Sequence, residues 1–458
     1  MLHQDTGQWD ESVAIAVVGG GACGLTAALA AAQHGVNVLL FEKERTARSN
    51  TARSSGMIPA AGTRFQREAG VEETPEDFAR DILAKNHHAS DPEVTLLQTR
   101  TIPLVVEWLV DEIGVDLRFV DDFTYPGHSK YRMHAPPDRT GAGLHRDMQQ
   151  AVDAHPHIES RIGTAVVGLV VDDERHVVGV VAETDGEPSR VRCDKAILAT
   201  NGFGANPELV AKYTPAMSEA MYFGSEGNTG EGILWGEALG AELDYMDAYQ
   251  AHNSVAVPQG LLMTYALVTK GGFQVNAHGQ RFGTEDQGYS ERALEVLAQP
   301  DGIAWNIFDG EIHDFAMAFD YYRQGVEKNA ILSAGTIETL ASKLGIDADG
   351  LEATLVRFNR AASGDMVDEQ GRTPDRPLRA PFYGVRVTGA LFHTQGGLRV
   401  NEHAQVLRED GSVVGNLYAG GGTAAGVSGH GPAGYLSGNG LLTAFVYGYL
   451  AGNHAATA

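Results

Sequence analysis

Residues 13–43 read VAIAVVGGGACGLTAALAAAQHGVNVLLFEK, and this stretch decides the fold. Val13–Val18 is an apolar, β-branched run without alternation, which predicts a parallel strand buried on both faces. Gly19-Gly20-Gly21-Ala22-Cys23-Gly24 follows, then an Ala/Leu-rich helical stretch, then a second apolar run from Val36 to Phe41 closed by Glu42. Strand, G-x-G-x-x-G, helix, strand and acid in this order predict a dinucleotide-binding βαβ unit. Gly19 is expected to make the tight turn, Gly21 to admit a pyrophosphate, and Gly24 to let helix and strand touch. The helix start at Ala22 offers free N–H groups and partial positive charge to phosphates, and Glu42 is placed to accept ribose hydroxyls.

The rest of the chain narrows the class. At 458 residues, two or three domains are expected. The formal charge of −25 argues against nucleic acid and anionic membranes as partners. No apolar run is long enough to span a bilayer, and residues 1–12 hold no apolar leader, so the expected location is the cytoplasm. Cys23 and Cys193 read as small core residues; two cysteines are too few for an iron–sulfur cluster or a Cys-based zinc site within the chain, and no metal site is expected.

Working outward, the polar loop after Glu42, from Lys43 to Met57, suits hydrogen bonding to a longer cofactor. Residues 76–114 read as helices starting near Asp77 and Asp91, residues 116–135 as an aromatic, His-rich loop, and Leu144–Ala154 as a helix. Between Gly163 and Cys193, short alternating runs separated by Asp172-Asp173 and Asp185-Gly186 predict an antiparallel meander. It leads into a buried strand ending at Ala199-Thr200-Asn201-Gly202. Residues 247–387 carry no nucleotide motif and read as an α+β cap, with helices at Thr336–Leu344 and about Ala348–Ala362, the latter capped by Asp347. Strand text returns at Leu391–Val400 and before Gly420-Gly421-Gly422, and a final helix is expected over Gly434–Ala451. The expected organisation is a Rossmann-like α/β domain over 1–246 and 388–458, with parallel sheet and meander, and a cap inserted at 247–387.

Together these landmarks resemble the fumarate reductase/succinate dehydrogenase flavoprotein superfamily along nearly the whole chain. Further matches are Ser49-Asn50-Thr51, Ser55-Gly56-Met57, Thr229-Gly230-Glu231-Gly232, Gln250-Ala251-His252, Gly279-Gln280-Arg281-Phe282 and Phe392-His393-Thr394-Gln395-Gly396-Gly397. The resemblance implies FAD beneath a mobile cap. Its contacts would include Gly19, Gly21, Ala22, Gly24, Glu42, Lys43, Asn50, Thr51, Ser55, Gly56, Met57, Val166, Ala199, Thr200, Gly202, Glu231, His393, Gly420, Gly421, Asn439 and Leu441. Asn50 stands where covalent members carry the histidine that bonds to flavin, so the FAD is expected to be non-covalent. Gly422 replaces a glutamate common at the ribityl chain.

The departures carry the functional expectation. Aligning Arg281-Phe282-Gly283-Thr284-Glu285 on the family's R-F-x-N-E motif puts Tyr289 where fumarate reductases carry a proton-delivering arginine. Tyr435 replaces an arginine that clamps a carboxylate, and Phe392 replaces a carboxylate-binding histidine; His252 is retained. The bidentate cation for a dicarboxylate is gone. The pattern is similar to the 3-ketosteroid 1-dehydrogenases and cyclic-ketone (oxocyclohexanecarboxylate-type) desaturases. That likeness implies introduction of a C=C bond α,β to a ketone, with the β-hydride passing to flavin N5 and the electrons to an external acceptor. Tyr289 is then the candidate base, with Tyr125, Tyr131 or Tyr265 as relay, and Tyr435 with a backbone N–H the enolate-oxygen site. His252, Phe392, Tyr125 and Tyr265 are candidate substrate contacts. His128, Arg132 and His134 form a possible substrate-carboxylate cluster. The alternatives are a reductase of fumarate or another activated alkene, with Tyr289 as acid, and a flavin subunit dependent on a partner electron carrier.

Overall fold

A computed structural model describes residues 1–46, 48–285 and 287–458; Ala47, in the Ser/Thr-rich loop, and Asp286, just before Tyr289's helix, lie outside the described residues. The opening run forms β1 (Glu11–Val18), buried from Ile15 onward. Helix α1 (Ala22–Ala32) follows and is buried along its whole length. Then comes β2 (Val38–Glu42), parallel to β1 with Ile15 opposite Val38. A strand with parallel neighbours on both sides and a helix on its face has no solvent side, which is why β1 lacks alternation. The loop after Glu42 contains one helical turn, α2 (Asn50–Arg53), and α3 spans Gly141–Ala154.

The meander is β3 (Thr164–Val171), β4 (Val177–Thr184) and β5 (Glu187–Leu198). The first half of β5 pairs antiparallel with β4, while its inner edge runs parallel to β1 from Val191 to Leu198. One twelve-residue strand thus joins the meander to the parallel core of a nine-stranded sheet.

A second, seven-stranded sheet is drawn mostly from residues 249–394, and Met221–Tyr222 joins it from the preceding part of the chain. Its main strands are β6 (Tyr249–Ala256), β7 (Ile303–Asp309) and β8 (Phe382–Thr394), with β6 and β7 each antiparallel to the central β8. The strand expected at Leu391–Val400 is therefore the end of a longer one, which starts nine residues earlier and stops at Thr394; pairing resumes at Gly397–Leu398 and at Val400, which bridges to Val406. Within the cap, α4 spans Tyr289–Leu297 and α5 spans Asp320–Glu327. Last come β9 (Val413–Ala419), parallel to β5, and α6 (Asn439–Thr457).

Local chemistry set most helix starts. Asp91 caps Pro92–Asp111, Thr336 caps Ile337–Leu344 and Asp347 caps Ala348–Ala362. Asp77 is the fourth residue of its capping motif rather than the start: Thr74 caps Pro75–Lys85 and Asp77 returns the bond. Two expectations need correction. Residues 116–135 hold two short paired strands, Arg118–Val120 and Met133–Ala135. The last helix begins at Asn439 and not at Gly434, because Gly438 takes φ +92 and breaks the helical path. That break leaves Tyr435 and Ser437 in a turn facing the cap.

Candidate active site

One cavity of about 580 Å³ runs between the two sheets, from the Gly19–Gly21 turn to a cluster of tyrosines. At the first end the Gly21 backbone lines the cavity, and a Cβ there would meet nothing nearer than Thr51 Oγ1 at 3.6 Å. Gly21 at the N-cap offers no side chain to α1; Ala22 N–H, the first of the helix, donates to Thr51 Oγ1 at 3.0 Å. Glu42 is pre-oriented by Gly20 N–H on Oε2 (2.8 Å) and Glu44 N–H on Oε1 (2.7 Å). A carboxylate has lone pairs left beyond these two. Lys43 pairs with Glu231 at 2.7 Å. A bare backbone cradle at a helix start and an oriented acid fit a pyrophosphate with its ribose.

Among residues expected to hold FAD, Gly19, Gly21, Ala22, Glu42, Lys43, Asn50, Thr51, Ser55, Met57, Val166, Ala199, Thr200, Glu231, His393, Gly421 and Leu441 line this cavity. Gly24, Gly56, Gly202, Gly420 and Asn439 do not. The four glycines fill close contacts instead: a Cβ would collide with the Gly19 carbonyl, the Thr140 carbonyl, the Thr394 hydroxyl or the Cys23 sulfur respectively. Asn439, fully buried, donates to Ser428 Oγ (3.1 Å), which donates to Gln395 Oε1 (3.0 Å); Gln395 Nε2 lies 2.9 Å from His393 Nδ1. This chain makes Nδ1 an acceptor and leaves the His393 proton on Nε2. The Asn50 amide is spent on protein: its Oδ1 accepts from Ser225 N–H (2.7 Å) and Asn228 (3.0 Å), and its Nδ2 donates to the Phe392 carbonyl (3.2 Å).

At the other end, five distant segments bring Tyr125, Tyr265, Tyr289 and Tyr435 together with His252 and Phe392, all lining the same cavity. Tyr289 is the first residue of α4. Its ring stacks on His252 (centroids 4.6 Å apart, 26°) and meets Tyr265 edge-on at 5.4 Å, Tyr125 at 6.0 Å and Tyr435 at 6.2 Å. Phe392 stacks on Phe223 at 4.7 Å. An ion pair between Lys85 and Glu291 ties α4 to the helix Pro75–Lys85, and Glu291 also accepts the Gly288 N–H at 2.9 Å.

Environment separates the two central phenols. Burial holds Tyr289 well above the ordinary phenol value, and the neighbouring Tyr435 and Tyr125 push the same way against the Ser437 hydroxyl. Burial also raises Tyr435, to about 12, but backbone N–H groups of Gly440 and Gly438 directed at its oxygen hold it lower. Gly438 is the N-cap of α6 and Gly440 its second residue, so these N–H groups stand at the helix start. His252 is brought down to about 3 by burial; its Nδ1 accepts Ser254 N–H at 3.1 Å, so the neutral ring carries its proton on Nε2.

Three sequence expectations change here. The Tyr265 hydroxyl is shared between the Glu285 (2.6 Å) and Gln287 (2.9 Å) carbonyls, so it braces the segment leading into α4 and cannot relay a proton. Tyr131 is 39% exposed and lies outside the cavity. His128, Arg132 and His134 do not bind a substrate carboxylate: buried Arg132 is held by Glu73 and Asp81, and His134 pairs with Thr63 Oγ1 at 2.9 Å. Arg132 Nη1 sits 3.1 Å from His128 Nδ1, which leaves the His128 proton on Nε2 to donate to the Ser437 carbonyl at 3.0 Å. A buried charge network thereby anchors the turn that carries Tyr435. Ser437 and Phe223 are cavity residues that the sequence reading missed. Reading Gly438-Asn439 as a helix start would have exposed Ser437.

The FAD binding domain model matches residues 14–441. NADH:fumarate oxidoreductase of Klebsiella pneumoniae is 30% identical over 97% of the chain, which spans only 48% of that relative's length. The 3-oxosteroid 1-dehydrogenase of Mycobacterium tuberculosis is 27% identical, over 96% of this chain and 98% of its own. Among solved structures, an open flavocytochrome c3 fumarate reductase superposes with TM-score 0.83 at 29% identity, covering 98% of this chain and 79% of that one. The 3-ketosteroid-Δ4-(5α)-dehydrogenase of Rhodococcus jostii gives 0.77 at 26%, covering 99% and 98%.

Proposed function

This chain belongs to the FAD binding domain family and is an FAD-dependent oxidoreductase, and from that premise we propose that it introduces a C=C bond α,β to a ketone. The single observation that carries the reading is the pairing of Tyr289 with a Tyr435 held by backbone N–H groups. When bound, non-covalently, FAD supplies a two-electron acceptor, drained by an external partner. Gly19, Gly21 and Ala22 would hold its pyrophosphate, Glu42 a ribose, and the turn into α6 the flavin end.

The remaining work falls to side chains. Two phenols whose environments push their pKa values apart divide the acid and base roles. Tyr435, the more acidic, donates its O–H to the ketone oxygen, and the N–H groups of Gly438 and Gly440 strengthen that donor by stabilising the charge it acquires. A preorganised oxyanion donor is typically worth about 3–4 kcal/mol. Tyr289 exchanges the α-proton. Burial keeps this phenol protonated at rest, so it first gives its proton to solvent; the Ser437 hydroxyl donates to the phenolate that then takes the α-proton, and the proton gained leaves once product is released. His252 and Phe392 wall the reacting carbons and keep water away. Where dicarboxylate reductases carry guanidinium groups, this end of the cavity carries aromatic rings, which suits an uncharged cyclic carbonyl at the reaction centre.

The protonated state of Tyr289 favours a second reading, the same chemistry in reverse, with Tyr289 as acid toward an enone. Anaerobic mixing separates the two. Loss of oxidised-flavin absorbance with a cyclic ketone supports the desaturase. Reoxidation of chemically reduced enzyme by an enone, without bleaching by the saturated ketone, supports the reductase. Response to neither contradicts the ketone reading.

A further inference from the structure

The helix Pro75–Lys85 carries Asp81 and Lys85 one turn apart, on the same face. Each begins a chain of contacts that ends at one of the two central tyrosines. Asp81 accepts the Ser129 N–H and hydroxyl, both at 2.8 Å, and pairs with Arg132. Arg132 orients His128, which donates to the Ser437 carbonyl in the Tyr435 turn at 3.0 Å. Gly127 closes the same corner: a Cβ there would meet Leu436 Cδ1 at 2.8 Å and the Lys85 stem at 3.6 Å. Asn86, the C-cap, donates to the Val427 carbonyl at 2.9 Å, so the helix end also holds the segment that leads to Tyr435.

Lys85 reaches the other way. It pairs with Glu291 Oε1, the same oxygen that accepts the Gly288 N–H at 2.9 Å and so caps α4 just before Tyr289. The other oxygen, Oε2, is buried and has no hydrogen-bond partner among the described residues. The neighbouring contacts of the α4 start stay within the cap. Ser290 Oγ accepts the Ala251 N–H on β6 at 3.0 Å, beside His252, and Tyr265 holds the carbonyls of Glu285 and Gln287. Tyr289 is therefore fixed to β6, and Tyr435 to the helix Pro75–Lys85. Among the described residues one other ion pair joins 247–387 to the rest of the chain, His430 with Asp247, and both of its side chains are exposed. The Lys85 and Glu291 side chains are only 15% and 18% exposed. At that burial salt screens a pair little, and removing one partner strands the other.

We propose that Lys85 is a positioning residue: through Glu291 it sets the register of Tyr289 against Tyr435, whose turn Asp81 fixes from the same helix. The inference rests on the tyrosine-pair reading of the site. Two phenols that serve one substrate need a fixed separation, and a displacement of about 1 Å can cost about 10²-fold in rate. Without the ammonium, the Glu291 carboxylate is left largely buried with one oxygen unserved. It turns to water, and Gly288 loses its cap.

The test compares flavin-loaded wild type, Lys85→Met and Lys85→Arg in two arms. In the first, without substrate, amide hydrogen exchange over residues 288–297 should rise about 10-fold in Lys85→Met. Exchange in β1 and β5 should stay at the wild-type level, and Lys85→Arg should restore most of the protection in α4. In the second arm, flavin bleaching by a saturating cyclic ketone should slow about 10- to 100-fold in Lys85→Met. Flavin content and the half-saturating ketone concentration should not change, and Lys85→Arg should recover most of the rate. Glu291→Gln, which leaves only a neutral contact, should act in the same direction in both arms and serves if Lys85→Met fails to fold. Unchanged exchange in α4 overturns the proposal. So does a rise spread evenly over the chain with a lower melting temperature, the signature of a merely structural pair. Bleaching of Lys85→Met at the wild-type rate overturns it as well. If no ketone bleaches wild type, the ketone reading falls alone, and the exchange arm still decides whether Lys85 holds the Tyr289 helix.

Discussion

The two ends of the cavity are built in opposite ways. The nucleotide end is local: one strand, one turn, one helix and one acid within 32 residues place a glycine cradle, a helix start and an oriented carboxylate. The tyrosine end is assembled from segments at 125, 252–265, 289, 392 and 435, each of which means little alone. A local site is carried by backbone geometry and tolerates almost no added volume. An assembled site is carried by side-chain chemistry and depends on the buried supports that bring its parts into register.

The sharpest break of that contrast is Gly24→Val. Its side chain would be driven into the Gly19 carbonyl, so the protein is expected to lose flavin and fold together, read as absent flavin absorbance and a collapsed thermal transition. Next, Tyr289→Phe should lower turnover about 10²–10⁴-fold with flavin content and melting temperature unchanged, since only a hydroxyl leaves the assembled end. Arg132→Met tests the supports. It strips the buried partner from Glu73 and Asp81, a loss of about 3–5 kcal/mol, seen in denaturant unfolding. His128→Phe should be milder in stability, about 1–3 kcal/mol for the orphaned Ser437 carbonyl, yet should raise KM for the ketone because the Tyr435 turn loses its anchor; His128→Gln, which restores a donor, should recover much of it.

The smallest expected effect is a pH dependence. Burial lowers His128 and His252 to about 3, and His134 and His393 to about 4, from an ordinary 6.5. Between those values and 6.5 the unfolded chain binds protons that the folded one refuses, so stability rises with pH across this window. It is lost as pH falls below about 6.5 and is flat with respect to these groups above it. Thermal melts from pH 7 to pH 4 should show the decline, whereas a stability maximum near pH 4 would place these rings outside the core.

The same contrast explains what the sequence could reveal. The βαβ unit, the meander and the capped helices were legible because spacing and caps act within a few residues. Tyr289 and Tyr435 were legible only against a family motif. Tyr265 misled because a tyrosine's ring and hydroxyl can face different tasks: its ring lines the cavity while its hydroxyl holds the backbone at 285 and 287. Arg132 looked like a ligand clamp because the acids that neutralise it, Glu73 and Asp81, lie more than fifty residues away. Ser437 was hidden by a helix read as starting five residues too early, before the left-handed Gly438.

The central claim is that the tyrosine pair, and not the nucleotide end, performs the proton chemistry on a ketone. The most direct measurement is anaerobic single-turnover flavin bleaching by one reactive cyclic ketone, with wild type, Tyr289→Phe and Tyr435→Phe at matched flavin content. The account predicts rapid bleaching in wild type and losses of about 10²-fold or more in each variant. Bleaching by Tyr289→Phe at the wild-type rate would contradict it.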